Sequence, residues 1–339
     1  MSKPDVVHAE APGPLAETGQ TYSPGGIARV PVYVNQGARG YGPEAVERLR
    51  RAFAAAGAVP EIVPLEAGEM ERTLRRAASG ADLIAVGGGD GTQSVAAGVL
   101  AGSGVTLVPV PVGTFNHFAR RLGISSPEDA ARAVVDGHAV RVPVGSVNGR
   151  AFVNNVSIGI YPRFVRTRER LRPTLGYAVA SGMAALHALW RLRRHRVGIE
   201  ACDTRTERAV AGIWVGLGRG SFRLPDDAEP IAARTLEVVI APGRTRLRLV
   251  LDALRTVDTL RRGEPPQQTG LEILHAPVMK LWSDGVLDLA RDGEAERVTP
   301  PVTLMVLENA LEVRSLEPLT VPDRAARCSG RNQATTPSA

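Results

Sequence analysis

Asp82-Leu-Ile-Ala-Val-Gly-Gly-Gly-Asp90-Gly-Thr92 is the stretch whose reading decides the fold. After Asp82 the run to Val86 is continuously apolar, as a strand buried on both faces should be, and three adjacent glycines follow it directly. Thr92 to Ala101 then reads as a helix, so the glycines join a buried strand to a helix N-terminus. Glycines let backbone N–H groups approach phosphate oxygens without a Cβ clash, and the helix dipole favours the anion. A carboxylate beside phosphates repels them unless Mg²⁺ lies between. Asp90 therefore reads as a ligand, through water, to a nucleotide-bound Mg²⁺. Thr92 reads as a hydroxyl donor to phosphate or a helix cap. No Gly-Lys-Ser/Thr follows, which excludes a Walker A loop, and the glycine spacing is not that of a Rossmann fingerprint. The bland alternative is a strand-to-helix turn with Asp90 as N-cap, but three glycines exceed what a turn requires.

On either side of this loop the pattern repeats. Arg29 to Val34 reads as a strand ending in the turn Asn35-Gln-Gly-Ala-Arg-Gly40, and Pro43 opens a helix through Ala56 with Val46, Leu49 and Phe53 on one face. Ile62-Val63 reads as a short strand, Glu69 to Ala78 as a helix, Val105 to Val110 as a strand and Thr114 to Leu122 as a helix. Repeated strand, loop and helix units imply a parallel sheet covered on both faces, with ligands at the carboxyl ends of its strands. That arrangement puts Thr114 and Asn116, in the second glycine turn Pro111-Val-Gly-Thr-Phe-Asn116, on the same rim as Asp90, so the two loops can clamp a triphosphate.

After Val142 the texture changes to short β-rich runs: 142–147, 152–158, 197–202, 209–217, 236–240, 278–282, 286–290 and 311–313. One helical stretch, Gly176 to Arg196, interrupts them. The expected organisation is a flexible segment 1–26, a nucleotide-binding α/β domain 27–142, a mostly antiparallel β domain 143–317 and a flexible tail 318–339.

Bulk properties narrow the partners. The net charge of +6 and pI of about 9.9 favour anionic ligands, but aromatics are only 4% and no basic run is interleaved with stacking aromatics, so nucleic acid is not expected. Cys202 and Cys328 are far apart without metal-ligand spacing, which predicts reduced cysteines in a cytoplasmic protein. Residues 1–26 lack the apolar core of a signal peptide, and no run approaches the ~18 apolar residues of a membrane span, so any membrane contact is expected to be peripheral, on the inner face. No signal for oligomeric state is legible.

These motifs together resemble the diacylglycerol kinase catalytic domain family, shared with sphingosine kinases and bacterial lipid kinases and distantly related to NAD kinases. The matching residues are Gly88-Gly-Asp-Gly-Thr92, Pro111-Val-Gly-Thr-Phe-Asn116 running into Phe118-Ala-Arg-Arg-Leu-Gly-Ile124, Phe152-Val-Asn-Asn-Val-Ser-Ile-Gly159 and Asp292-Gly-Glu294. The resemblance implies a Rossmann-like α/β domain followed by a β-sandwich with the active site in the cleft between them, ATP and Mg²⁺ as cofactors, and a diacylglycerol-like lipid hydroxyl at a membrane surface as acceptor. It implies nucleotide binding by Asn35, Gly88, Gly89, Asp90, Gly91, Thr92, Thr114 and Asn116, with Glu294 as the general base that takes the acceptor proton. Asp292-Gly-Glu294 read without the resemblance is a surface hairpin turn.

This sequence departs from the family pattern at three places. His117 follows Asn116 where many members have Asp, Pro143 stands where an Asp commonly begins the second domain, and Ala233-Arg234 replaces an Asp-Gly pair that helps hold a structural Mg²⁺ in bacterial relatives. His117 reads as a hydrogen-bonding substitute rather than a metal ligand. Arg163, Arg166, Arg168, Arg170 and Arg172 fall in the family's cleft region, where one could neutralise phosphate. The Gly176 to Arg196 helix reads as a domain-packing element with a basic end favoured by its own dipole, the alternative being an amphipathic helix on an anionic membrane. Two alternatives to a lipid kinase are a kinase of a soluble substrate such as NAD and a non-catalytic nucleotide- or lipid-binding relative.

Overall fold

The computed structural model describes residues 28–190, 195–202, 204–217, 234–243, 271–316 and 329–330. Its first half alternates strands β1 (Ala28–Asn35), β2 (Ala58–Leu65), β3 (Leu83–Gly88) and β4 (Thr106–Pro111) with helices α1 (Pro43–Ala55), α2 (Met70–Ala78), α3 (Asp90–Leu100), α4 (His117–Arg120) and α5 (Pro127–Asp136). The strands lie in the order β2, β1, β3, β4 and are all parallel, with Leu83 opposite Thr106 and Gly88 opposite Pro111. From Ile84 through Gly88, β3 is buried throughout, because helices cover both faces of the sheet. Parallel strands running together deliver Asn35, Gly88 and Pro111 to one rim, and that rim is where the glycine turns begin.

Two local expectations change. The helix foreseen over Thr114 to Leu122 shrinks to the single turn α4, because Asn116 adopts a left-handed backbone (φ 53°) and delays the helix start. Helix α5 is an addition, announced by Ser126-Pro-Glu-Asp129: the Ser126 hydroxyl accepts the Asp129 N–H at 3.1 Å, with proline at the first helical position.

The second half is β-rich: β5 (His138–Val147), β6 (Arg150–Phe152), β7 (Asn155–Gly159), α6 (Ile160–Trp190), β8 (His195–Ala201), β9 (Thr204–Leu217), β10 (Leu236–Pro242), β11 (Glu272–Ala276), β12 (Val278–Trp282), β13 (Leu287–Arg291), β14 (Glu294–Val298), β15 (Val302–Ser315) and β16 (Ser329–Gly330). Neighbouring strands here are antiparallel. Within the segment expected to be a tail, Ser329 and Gly330 pair with β11. The helix foreseen from Gly176 to Arg196 is redrawn: α6 starts at Ile160, breaks at Gly176 (φ 72°) and ends at Trp190, while Arg196 lies in β8. Cys202 is disulfide-bonded rather than a free thiol, which corrects the reading of reduced cysteines.

The two halves share strands rather than merely touching. The 14-residue β15 pairs antiparallel with β12 and β5 and, at Val313 opposite Leu107, parallel with β4, so one mixed sheet runs through the molecule. Leu311 and Val313 of β15 belong to the core of the α/β half, whereas Val302 and Leu304 belong to the core of the β half. Strand β5 divides in the same way, with Val142 and Val144 in one core and Val147 in the other. A hinge between the halves would have to bend two strands that each end in a packed core.

Leu304→Ala tests this. The side chain is fully buried, so its truncation is expected to cost roughly 2–5 kcal/mol. Urea unfolding followed by circular dichroism should show a lower midpoint in one transition, whereas two separated transitions would contradict a shared core.

Candidate active site

The site is built on contacts between backbones. Gly89 precedes α3 as its N-cap in an extended conformation, and a Cβ placed on Gly113 would lie 2.3 Å from the Gly89 Cα. The two glycine turns therefore touch, and neither could do so with a side chain at Gly113. The turn after β1 joins them: the Gly40 N–H donates to the Val112 carbonyl, and the Val112 N–H to the Gly88 carbonyl.

Polar side chains lock this platform. Asn35 donates through Nδ2 to the Thr92 hydroxyl at 2.8 Å and accepts the Gly37 N–H through Oδ1. Thr92 is buried. Asn116 grips Gly113 at both ends, accepting its N–H and donating to its carbonyl, each at 3.0 Å. Among the residues foreseen to bind nucleotide, Asn35, Thr92 and Asn116 thus direct their side-chain groups into the scaffold and shape the turns. Among the described residues, groups still able to face a ligand include the first-turn N–H groups of α3, which have no intrahelical partner, and the exposed Thr114 hydroxyl. Exposed His117 stacks on Phe115, with ring centroids 5.6 Å apart.

The β half supplies the other wall. Asp292 and Gly293, both at positive φ, form the two-residue turn between β13 and β14, which sets Arg291 opposite Glu294. A Cβ added to Gly91 would lie 2.7 Å from Glu294 Oε1, so the Glu294 carboxylate sits over the first turn of α3, one residue from Asp90. The expected hairpin and the expected functional carboxylate are one and the same element.

What holds this wall in place is Asp292. Its carboxylate accepts the N–H groups of Val153 at 2.8 Å and of Asn154 and Asn155 at 2.9 Å. The clamped segment presents Asn154, whose Nδ2 donates to Asp90 Oδ1 at 2.9 Å, and Asp90 Oδ1 also accepts the Phe118 N–H at 3.1 Å. Beneath, Arg291 donates to the Ser94 hydroxyl at 3.1 Å and the Ala151 carbonyl at 2.9 Å, while Ser94 itself donates to Ala151. Helix α3 is thereby tied to β6 and β13. Asn154, Ser94 and Arg291 were not singled out by sequence. Asn154 lies inside the matched Phe152 to Gly159 motif, but nothing in a single sequence says which of its polar residues faces Asp90.

Two cation questions are open to test on these residues. Asp90 Oδ2 makes no hydrogen bond among the described residues, so the carboxylate has an oxygen for a Mg²⁺ shared with nucleotide phosphates. A second, structural cation does not fit: Pro143 is buried in β5, Arg234 pairs with Glu308 at 3.6 Å, and Ala233 lies outside the described residues. The arginines foreseen in the cleft are mostly engaged. Arg163 and Arg166 bind Asp288, Arg168 and Arg172 bind Glu169, and Arg170 is exposed.

A match to the diacylglycerol kinase catalytic domain covers residues 29–147, from β1 through β5, and so contains both glycine turns. Beyond it, the chain is 33% identical over 239 residues to "Probable lipid kinase YegS-like" of Pseudomonas aeruginosa (strain UCBPP-PA14), covering 68% of this chain and 76% of that protein. The chain belongs to this lipid kinase family. It is also 40% identical over 92 residues to a diacylglycerol kinase of Mycobacterium tuberculosis (strain H37Rv), covering 26% of this chain and 30% of that one. A diacylglycerol kinase crystal structure from Bacillus anthracis str. Sterne superposes with a TM-score of 0.61 at 19% identity, over 85% of this chain and 96% of that one, which shows the common fold.

The Asp292 carboxyl gives a pH prediction. Burial raises it from 3.8 to about 6, against the opposing pull of the Val153, Asn155 and Asn154 N–H groups and the Ser94 hydroxyl. A raised folded-state value means the protonated form is favoured by folding. Its stabilising contribution is fully present below about pH 4 and lost as pH rises through about 6. The unfolding free energy of wild type minus that of Asp292→Asn should therefore be more positive near pH 4 than near pH 7, by roughly 2 kcal/mol. Chemical denaturation at the two pH values measures it, and a pH-independent difference would refute the assignment.

Proposed function

We propose that the protein is an ATP-dependent lipid kinase that transfers the γ-phosphate to the hydroxyl of a diacylglycerol-like acceptor. The observation that carries this reading is Glu294 seated against Gly91, which puts a carboxylate from the β half beside the loop that suits phosphates. The first-turn N–H groups of α3 and the Thr114 hydroxyl hold phosphate oxygens in this reading, with Gly88, Gly89, Gly91 and Gly113 keeping Cβ atoms out of the way. Mg²⁺ held by Asp90 Oδ2 would neutralise phosphate charge when bound.

Glu294 accepts the proton of the acceptor hydroxyl as that oxygen bonds to phosphorus, and the β–γ bridging oxygen leaves with ADP. Asn154 and the Phe118 N–H keep Asp90 oriented by occupying Oδ1. The acceptor enters from the side of the β half, because Glu294 opens β14.

Radiolabelled ATP offered with Mg²⁺ and a panel of diacylglycerol, sphingoid and glycolipid acceptors tests the proposal. Wild type should label at least one lipid. Glu294→Gln should cut turnover by about 10²-fold or more, in line with loss of a general base, with ATP affinity nearly unchanged, whereas Asp90→Asn should weaken both. Folded protein that labels no lipid would sink the reading, and labelling of NAD instead would replace it with the soluble-substrate alternative.

A further inference from the structure

Two carboxylates share a face of the β13–β14 hairpin with one buried arginine, and the arginine takes only one of them. Glu294 lies directly opposite Arg291 and Glu296 opposite Leu289, so strand alternation puts Arg291, Glu294 and Glu296 on the same face. Arg291 is 7% exposed. Its guanidinium donates to the Ser94 hydroxyl at 3.1 Å and to the Ala151 carbonyl at 2.9 Å, and its Nε donates to Glu296 Oε1 at 3.4 Å. Arg150 holds the other oxygen of Glu296. Glu294, although directly opposite Arg291, has no hydrogen bond or ion pair among the described residues. Its carboxylate lies instead over Gly91, on the same helix as Ser94 and three residues before it.

This choice of partner has a physical reason and a chemical consequence. A guanidinium so buried needs its charge compensated, because an uncompensated buried cation is strongly destabilising. Ser94 and Ala151 fix the donor fork on the α3 side, and Glu296, drawn between two arginines, meets it there. Directly opposed residues of an antiparallel pair have Cβ atoms only about 5 Å apart. Glu294 is therefore the carboxylate that Arg291 would meet if Glu296 did not hold it. Such a pair would occupy the oxygens that have to accept a proton, and a cation alongside makes a carboxylate a weaker base. Glu296 thus fastens the hairpin to α3 through Arg291 and keeps Arg291 off Glu294.

We infer that Arg291 and Glu296 form a positioning pair for Glu294, pinning its hairpin against α3 while leaving the Glu294 carboxylate unpaired for the acceptor proton. The inference rests on the lipid kinase reading above, in which Glu294 takes that proton.

Glu296→Gln tests it directly, because the substitution keeps the size of a half-buried side chain and removes the charge that holds Arg291. Phosphate transfer from ATP to the lipid that wild type labels best should show turnover lower by about tenfold or more, with the KM for ATP nearly unchanged. In a Glu294→Gln background the same substitution should cause no further loss, since it acts through Glu294, whereas a merely structural contribution would multiply with it. Arg291→Lys keeps the charge but loses the planar donor fork, and its loss of turnover should depend on Glu294 in the same way. Circular dichroism should report native folding for each variant. Wild-type turnover in Glu296→Gln, or the same fold-loss with and without Glu294, would overturn the inference and leave the kinase reading in place. Wild type that labels no lipid would remove the two together.

Discussion

One buried carboxylate organises the site. Asp292 sits on a two-residue turn, accepts three successive backbone N–H groups from residues 153–155, and through Asn154 reaches Asp90 on the opposite half of the molecule. Loss of any of those acceptor contacts would leave buried N–H groups without partners, which is more costly than the bonds themselves are favourable. Burial raises the carboxyl toward neutral pH, so its three donors hold an ionised group that the surroundings resist. The turn that carries Asp292 also carries Glu294, and the clamp that orders residues 153–155 thereby fixes the distance between the two carboxylates that the reaction would use.

The scaffold around this clamp is stiff where the chemistry needs it to be. Strands β5 and β15 end in both cores, and Arg291 ties α3 to β6 beneath the glycine loop. Glycine turns above them touch through Gly89 and Gly113. Rigid elements on both sides favour a preorganised arrangement of hydrogen-bond donors, the kind of site in which electrostatic stabilisation of a transferring phosphoryl group costs least reorganisation.

Much of this was legible beforehand, for identifiable reasons. The apolar run into Gly87-Gly-Gly89 announced a doubly covered strand and a glycine turn into a helix, because backbone geometry at glycine is a local property. Pro43 and the periodic face of α1 were equally local. What escaped was long-range. Asn35 and Asn116 were expected among the nucleotide contacts, and what went unseen is that their amides also bond Thr92 and Gly113 and so shape the turns, since sequence cannot say which way an amide faces. Asp292 was matched as part of a motif without its own role, because its partners lie well over a hundred residues away. The long β15 was seen only at Leu311 to Val313, its exposed middle at Leu307, Glu308 and Asn309 breaking the pattern before the buried Val302 and Leu304.

Asn154 is the link by which one half of the protein orients Asp90, the carboxylate proposed to meet Mg²⁺, on the other. The direct measurement is ATP affinity and turnover of Asn154→Ala in parallel, by calorimetry and by phosphate transfer to diacylglycerol. The account predicts that ATP affinity stays within a few-fold while turnover falls by about 10²-fold, because positioning, not binding, is lost. Unchanged turnover, or a fall in affinity that accounts for the whole loss, would contradict it.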